Sequence, residues 1–178
     1  RRHRRTELSD EDHRRLIGLC RDCGVEFLTT CFDLGRVDFL AGLGLRSIKV
    51  ASPDSTSFRL LDRLLERFEH VIISTGMTPD EELDRLLEHV RGRNVTILHC
   101  VSLYPTPPER VNLERMLWIR EQGFRAGFSD HSLGTEAGRL AIALGAEILE
   151  KHITLSRRLP GKDQAISTTP EEFRELAD

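Results

Sequence analysis

The feature that most constrains this chain is a unit that repeats along it, in which an amphipathic helix ends near a glycine and a short apolar strand follows. Gly44, Gly123 and Gly145 are three of the glycines that end predicted helices. The predicted strands cover residues 25–30, 46–51, 70–74, 94–99, 124–128 and 146–150. Strands that alternate with helices in this way predict an α/β fold with right-handed crossovers and a parallel sheet.

The predicted helices lie between these strands and carry recognisable start signals. Ser9 begins the first helix in the manner of a capping box, and Thr78 with Pro79 begins the helix after the third strand. The remaining helices are predicted at residues 33–43, 57–68, 111–122 and 133–144, with a last one over 170–176.

Two architectures fit this alternation, an open doubly wound sheet and a (β/α)8 barrel. Every predicted strand ends in polar residues whose side chains can take part in binding or catalysis, such as Ser74-Thr75 and Ser129-Asp130-His131. A ring of functional groups at the carboxyl ends of all strands is what a barrel active site requires, so we favour a TIM barrel. Six strands are two short of eight, which predicts a partial barrel whose open edges make the isolated segment a poor folder.

Composition excludes several classes of protein. The 26 basic and 29 acidic residues, a net charge of −3 in 178 residues, argue against a dedicated nucleic-acid binder. No apolar run approaches the ~20 residues of a membrane span. The basic segment Arg1–Arg5 has no apolar run behind it and is not a secretory signal, and four scattered cysteines make no disulfide framework. We therefore expect a soluble, cytoplasmic protein.

Two histidines occupy equivalent places at the ends of successive strands. His131 follows one predicted strand and His152 follows the next. Equivalent positions in adjacent parallel strands lie ~5 Å apart, so the two imidazoles could hold one divalent ion and leave positions open for water and substrate. The alternative is that each histidine merely hydrogen-bonds a loop.

Lys49 lies inside an otherwise apolar strand and needs an anionic partner. It could bind a substrate phosphate, form a Schiff base as in a class I aldolase, or make an ion pair inside the barrel. Small hydroxyls recur at the strand ends and could form a phosphate cradle with backbone N–H groups: Thr30, Ser52, Ser74, Ser102 and Ser129. Asp163, in a later loop, could return over the mouth as an acid or base, or could belong to a solvated turn.

At this point the chain resembles the sialic acid synthase (N-acetylneuraminate synthase) family. The matching stretches run in order over nearly the whole chain. They include residues 26–33, Lys49-Val50-Ala51-Ser52, Ile73-Ser74-Thr75-Gly76-Met77, Leu98-His99-Cys100, residues 128–134, residues 150–155 and Leu159-Pro160-Gly161-Lys162-Asp163.

The resemblance implies a metal-dependent condensation of phosphoenolpyruvate with an N-acetylated aldose, which yields a sialic-acid-type nonulosonate and phosphate. It implies that His131 and His152 bind a Mn²⁺-type ion, for which Mg²⁺ or Co²⁺ could substitute. The phosphate and carboxylate cradle would comprise Lys49, Thr30, Ser52, Ser74 and Ser129, with Ser102 where relatives also place Asn. Asp163 would lie beside the metal-bound water, Asp54 would contact the acceptor and Tyr104 would line the sugar site.

The resemblance also implies a domain organisation. Residues 1–178 would be the third to eighth strands of the barrel, without its first two strands and without a C-terminal antifreeze-like domain. We expect this segment to be inactive alone and the full-length protein to be a homodimer. Cys31, Pro53 and Gln164 depart from residues that are frequent in the family, which leaves the acceptor open among N-acetylmannosamine and the legionaminate, pseudaminate and spore-coat precursors. The rival functions are a class I aldolase acting through Lys49 and a non-catalytic, sugar-binding barrel remnant.

Overall fold

The computed structural model describes residues 8–178, so the basic segment Arg1–Arg5 lies outside the described residues. Its centre is one sheet of five parallel strands. The strands are β1 (Ser47–Val50), β2 (His70–Ser74), β3 (Val95–Cys100), β4 (Arg125–Asp130) and β5 (Leu149–Lys151). They are hydrogen-bonded in the order β1-β2-β3-β4-β5.

Seven α-helices are described between residues 8 and 178. They are α1 (Asp10–Asp22), α2 (Val37–Gly42), α3 (Phe58–Arg67), α4 (Asp80–His89), α5 (Glu114–Glu121), α6 (Glu136–Ala143) and α7 (Pro170–Ala177). Short 3₁₀ turns occur at Leu34–Arg36, Ser52–Asp54 and Pro108–Arg110. Ser9 caps α1 in a capping box, as predicted. None of these helices combines the length and the apolar character that a membrane span needs.

The order of the strands decides between the two architectures. A doubly wound sheet reverses its strand order at a switch point, whereas this sheet follows the chain without reversal. In a flat sheet β1 and β5 would be roughly 19 Å apart. Yet Lys49 Nζ of β1 lies 3.3 Å from Glu150 Oε2 of β5. The sheet is therefore strongly curved, and the fold is a parallel half-barrel consistent with part of a TIM-like barrel.

The predicted count of six strands is not confirmed, because residues 25–30 do not form a strand. They reach the sheet only at an isolated bridge between Thr30 and Lys49, where Lys49 N–H donates to Thr29 O at 3.0 Å. Val25 is 58% exposed and Leu28 41% exposed. Little apolar burial therefore holds the earlier part of this segment against β1.

The two faces of the sheet differ in chemistry because side chains alternate along each strand. The outer face is mostly apolar and packs against helices α2 to α6, with a core that includes Ile48, Val50, Val71, Ile73, Ile97, Leu61, Leu64, Leu83, Leu86, Met116 and Ile119. The inner face carries polar groups towards the carboxyl ends of the strands, among them Lys49, Ser74, Ser129 and Glu150. The alternation therefore directs the functional groups into the concave side of the sheet.

Candidate active site

A cavity of about 620 Å³ opens at the carboxyl ends of the strands. Residues from the ends of all five strands and from the Thr30 bridge line it. Among the residues predicted from sequence, the lining includes Thr30, Lys49, Ser52, Ser74, Ser102, Tyr104, Ser129, His131 and His152. A half-barrel with a site at this end has the arrangement typical of TIM-barrel enzymes.

The two histidines lie side by side in this cavity. The ring centres of His131 and His152 are 5.4 Å apart. Tyr104 packs against both, with its ring centre 4.2 Å from that of His131 and 6.0 Å, edge-on, from that of His152. The Tyr104 ring therefore packs against both imidazoles on one side of the cavity.

His131 is held in one tautomer. Its Nδ1–H donates to the carbonyl oxygen of Val101 at 2.9 Å, which makes Nε2 the nitrogen that carries the lone pair. Burial lowers the pKa of His131 below its ordinary value, so the ring is neutral near pH 7. A neutral imidazole oriented through its other nitrogen is the usual state of a metal ligand.

The separation of the two imidazole rings is within the range for two ligands of one divalent ion. Two rings that share one ion through metal–nitrogen bonds of about 2.1 Å have centres within roughly 6 Å of each other. The observed 5.4 Å meets this limit. Residues 8–178 hold no cluster of three or more His, Cys, Asp or Glu side chains arranged for a metal.

Lys49 has the anionic partner that its position requires. Its side chain is 12% exposed, and its Nζ pairs with Glu150 Oε2 at 3.3 Å. Ser129 Oγ donates to the other oxygen of the same carboxylate, Oε1, at 2.7 Å. Glu150 thus joins two residues of the predicted cradle, and sequence reasoning did not select it. Its place on the inward face of β5, in register with Ser129, is the signal that could have found it.

The hydroxyl groups of the cavity are closely packed around Gly76. Gly76 N–H donates to Ser52 Oγ at 2.9 Å. A Cβ on Gly76 would overlap Ser102 Oγ and would lie 3.0 Å from both Ser52 Oγ and Cys100 Sγ, so only glycine fits here. Ser74 Oγ is buried and has no hydrogen-bond partner among the described residues. Because buried polar groups are normally paired, this hydroxyl indicates a polar ligand or water.

Two of the predicted residues do not line the cavity. Asp54 accepts a hydrogen bond from Ser57 Oγ at 3.4 Å, close to the start of α3. Asp163 lies in the loop after β5, where its backbone carbonyl accepts hydrogen bonds from Ile166 N and Ser167 N, both at 3.1 Å. Neither residue is among those that line the cavity.

Comparison with known proteins places this site in a family. A model described as the NeuB family matches residues 2–178. The chain belongs to the NeuB family. N,N'-diacetyllegionaminic acid synthase of Legionella pneumophila is 36% identical to this NeuB-family chain over 178 residues, 96% of the chain and 50% of that protein. Human N-acetylneuraminate-9-phosphate synthase is 33% identical over 97% of the chain and 49% of that protein.

A solved structure shares the same fold. N-acetylneuraminic acid (sialic acid) synthetase from Leptospira borgpetersenii serovar Hardjo-bovis, in complex with citrate, superposes with a TM-score of 0.90 at 32% identity. The match covers 96% of this chain and 61% of that one. The NeuB-family chain described here spans about half the length of the curated relatives it matches.

Proposed function

We propose that the protein containing this chain condenses phosphoenolpyruvate with an N-acetylated aldose, giving a sialic-acid-type nonulosonate and phosphate. The observation that carries the proposal is the position of His131 and His152 in one cavity with Lys49 and the strand-end hydroxyls. Relatives named as legionaminic acid and N-acetylneuraminate-9-phosphate synthases support it.

In this proposal phosphoenolpyruvate, the anionic substrate, binds in the part of the cavity around Lys49. The Lys49 ammonium and the hydroxyls of Thr30, Ser52, Ser74 and Ser129 bind its phosphate and carboxylate oxygens through charge-assisted hydrogen bonds. The Glu150 carboxylate, which contacts Lys49 and Ser129 in the structure, gives way to the more highly charged donor.

The reaction forms one carbon–carbon bond and replaces the bond from carbon 2 to the phosphate oxygen with a bond from carbon 2 to the oxygen of water. Carbon 3 of phosphoenolpyruvate attacks the aldehyde carbon of the open-chain sugar, water adds to carbon 2, and phosphate leaves with the oxygen that joined it to carbon 2. A divalent ion at His131 and His152, Mn²⁺ in our proposal with Mg²⁺ or Co²⁺ as substitutes, would supply Lewis-acid polarisation of the aldehyde.

The acceptor side is assigned to Tyr104 in the cavity and to Asp54 outside its lining. Ser102 belongs to the cradle, and Asp163, also outside the lining, would serve as an acid or base next to the metal site. Burial raises the pKa of Tyr104, and the charges of Cys100 and Asp163 raise it further, so Asp163 lies near enough to this wall of the cavity to act on it. We further propose that the full-length protein is a cytoplasmic homodimer and that residues 1–178 alone are inactive.

A product assay on the complete gene product tests the proposal. We expect phosphate release in the presence of phosphoenolpyruvate, Mn²⁺ and one of several acetamido sugars, with loss of turnover on chelation and recovery on adding Mn²⁺ back. His131→Ala should reduce turnover by more than the roughly 10- to 100-fold that outer-shell changes at metal sites cost. His89→Ala, on the outer helix α4, is the matched control and should leave turnover unchanged. Full turnover after complete metal removal would contradict the proposal.

The contacts of Lys49 disfavour the aldolase alternative. Its Nζ faces the Glu150 carboxylate, and an ion-paired ammonium has no lone pair with which to attack a carbonyl. Trapping of substrate on Lys49 by borohydride would nevertheless establish the aldolase and overturn the condensation proposed here.

A further inference from the structure

A buried ion pair lies behind the two histidines, on the outer face of the sheet. Lys151 Nζ is 2.6 Å from Asp130 Oδ2, and the exposed fractions of the two side chains are 1% and 0%. Both residues are in strands, Asp130 at the end of β4 and Lys151 at the end of β5, and their Cα atoms are partners in the parallel register. The pair therefore links the two strands that carry the imidazoles.

Hydrogen bonds around this pair are nearly saturated. Lys151 Nζ also donates to Ser132 O at 2.9 Å. Asp130 Oδ1 accepts from Ser132 N–H at 2.8 Å and from Ser132 Oγ at 2.7 Å. Helix α6 covers the pair closely, since a Cβ on Gly138 would lie 3.5 Å from Asp130 Oδ2. His131 is thus flanked on both sides by residues of one buried network.

Stability alone does not account for such a pair. Removing two charges from water is expensive, and replacing a buried ion pair with apolar residues of similar volume is often neutral or stabilising. Such a pair fixes the geometry of the residues that carry it, because separating the partners leaves each charge buried and unpaired. A buried pair at this place is suited to holding two strand ends in register.

We propose that the Asp130–Lys151 pair is a positioning device that sets the separation of His131 and His152. Each member immediately precedes one of the histidines, and successive strand residues point to opposite faces. A shift of either charged side chain therefore moves an imidazole on the cavity side. This inference rests on the metal site of the proposed function and extends it to two residues that do not touch the ion.

Replacing both charges at once tests this proposal without leaving one of them buried and unpaired. In the full chain, the double variant Asp130→Leu/Lys151→Met should keep a thermal unfolding midpoint equal to or above the wild-type value. Its Mn²⁺ affinity, followed by electron paramagnetic resonance of the free ion, should fall about 10- to 100-fold. The matched control is Asp38→Leu/Arg63→Met, which removes a 2.7 Å pair on the outer surface and should leave Mn²⁺ affinity unchanged.

A folded double variant that binds Mn²⁺ as tightly as wild type would overturn the inference and leave the proposed function intact. Should the double variant fail to fold, Ser132→Ala removes only the Oγ bond to Asp130. We then expect a severalfold loss of Mn²⁺ affinity, and an unchanged affinity overturns the inference. A wild-type chain that binds no Mn²⁺ overturns the proposed metal site itself, and the positioning role with it.

Discussion

At the scale of single residues, Glu150 changes how the cavity is understood. Its carboxylate contacts Lys49 and Ser129, the same groups that we assign to an anionic substrate. The carboxylate therefore occupies part of the place where the substrate's own oxygens would bind. Affinity for an anion depends on how readily Glu150 gives up these contacts.

Glu150→Gln should strengthen the binding of inorganic phosphate. Removing one negative charge next to an anion site lowers repulsion by about 1 kcal/mol, which corresponds to about fivefold in affinity. Isothermal titration with phosphate measures the change. Glu66→Gln, on the outer surface of α3, is the control and should have no effect. Weaker phosphate binding by Glu150→Gln would show that Glu150 organises Lys49 rather than competing with the anion.

The sequence predicted individual residues unevenly. Residues that end a strand, such as Ser74 and His131, line the cavity, because the ends of strands can be located from the sequence pattern. Asp54 and Asp163 lie in a 3₁₀ turn and a loop, where the direction of a side chain depends on contacts that no periodicity encodes. Glu150 was missed because its partner Lys49 is distant in the chain and near only in the curved sheet.

At the scale of elements, the contact between β4 and β5 depends on the absence of a side chain. A Cβ on Gly127 would overlap the carbonyl oxygen of Ile148 and would lie 2.6 Å from Leu98 Cδ2. The same carbonyl accepts a hydrogen bond from Phe128 N–H at 2.9 Å. Glycine therefore lets the base of β5 approach β4 closely.

One substitution at two places should have opposite effects on stability. Gly127→Ala should lower the free energy of unfolding by about 1–3 kcal/mol, because the added methyl group overpacks the strand contact. Gly18→Ala, inside α1 with no heavy atom within 4 Å of the new Cβ, should raise it by about 0.5–1 kcal/mol. Urea unfolding of both variants checks this pair. Equal effects would mean that the close approach of β5 to β4 at Gly127 does not influence the free energy of unfolding.

Element boundaries followed the sequence closely where both faces of a strand are buried. The prediction of residues 70–74 agrees with β2, and that of 94–99 is within one residue of β3. Residues 25–30 have a similar apolar pattern but lie at the edge of the described sheet, where exposed Val25 and Leu28 gain little from pairing. Local pattern predicts the capacity to form a strand, and burial decides whether it forms.

At the scale of the whole molecule, buried and half-buried histidines link stability to pH. Burial lowers the pKa of His70, His99 and His131 below the ordinary value of 6.5. The unfolded chain therefore binds protons more readily than the folded chain below about pH 6.5, and stability is lost as the pH falls through that range. We expect the urea midpoint of the metal-free chain to be lower at about pH 5.5 than at about pH 7. A midpoint that rises on acidification would contradict this expectation.

The global architecture was predictable only in part. Alternating strands and helices indicated a parallel sheet, and polar strand ends favoured the barrel over the doubly wound sheet. The strand order agrees with that choice. The degree of curvature was not predictable, since it arises from the twist of the sheet and from packing of the helices outside it.

The ion pair between Lys49 and Glu150 joins the first and last strands of the sheet, the two that are farthest apart in its order. An anion that binds Lys49 competes with Glu150 and so breaks this contact between the two edge strands. We therefore expect an anion in the cavity to weaken this link between β1 and β5.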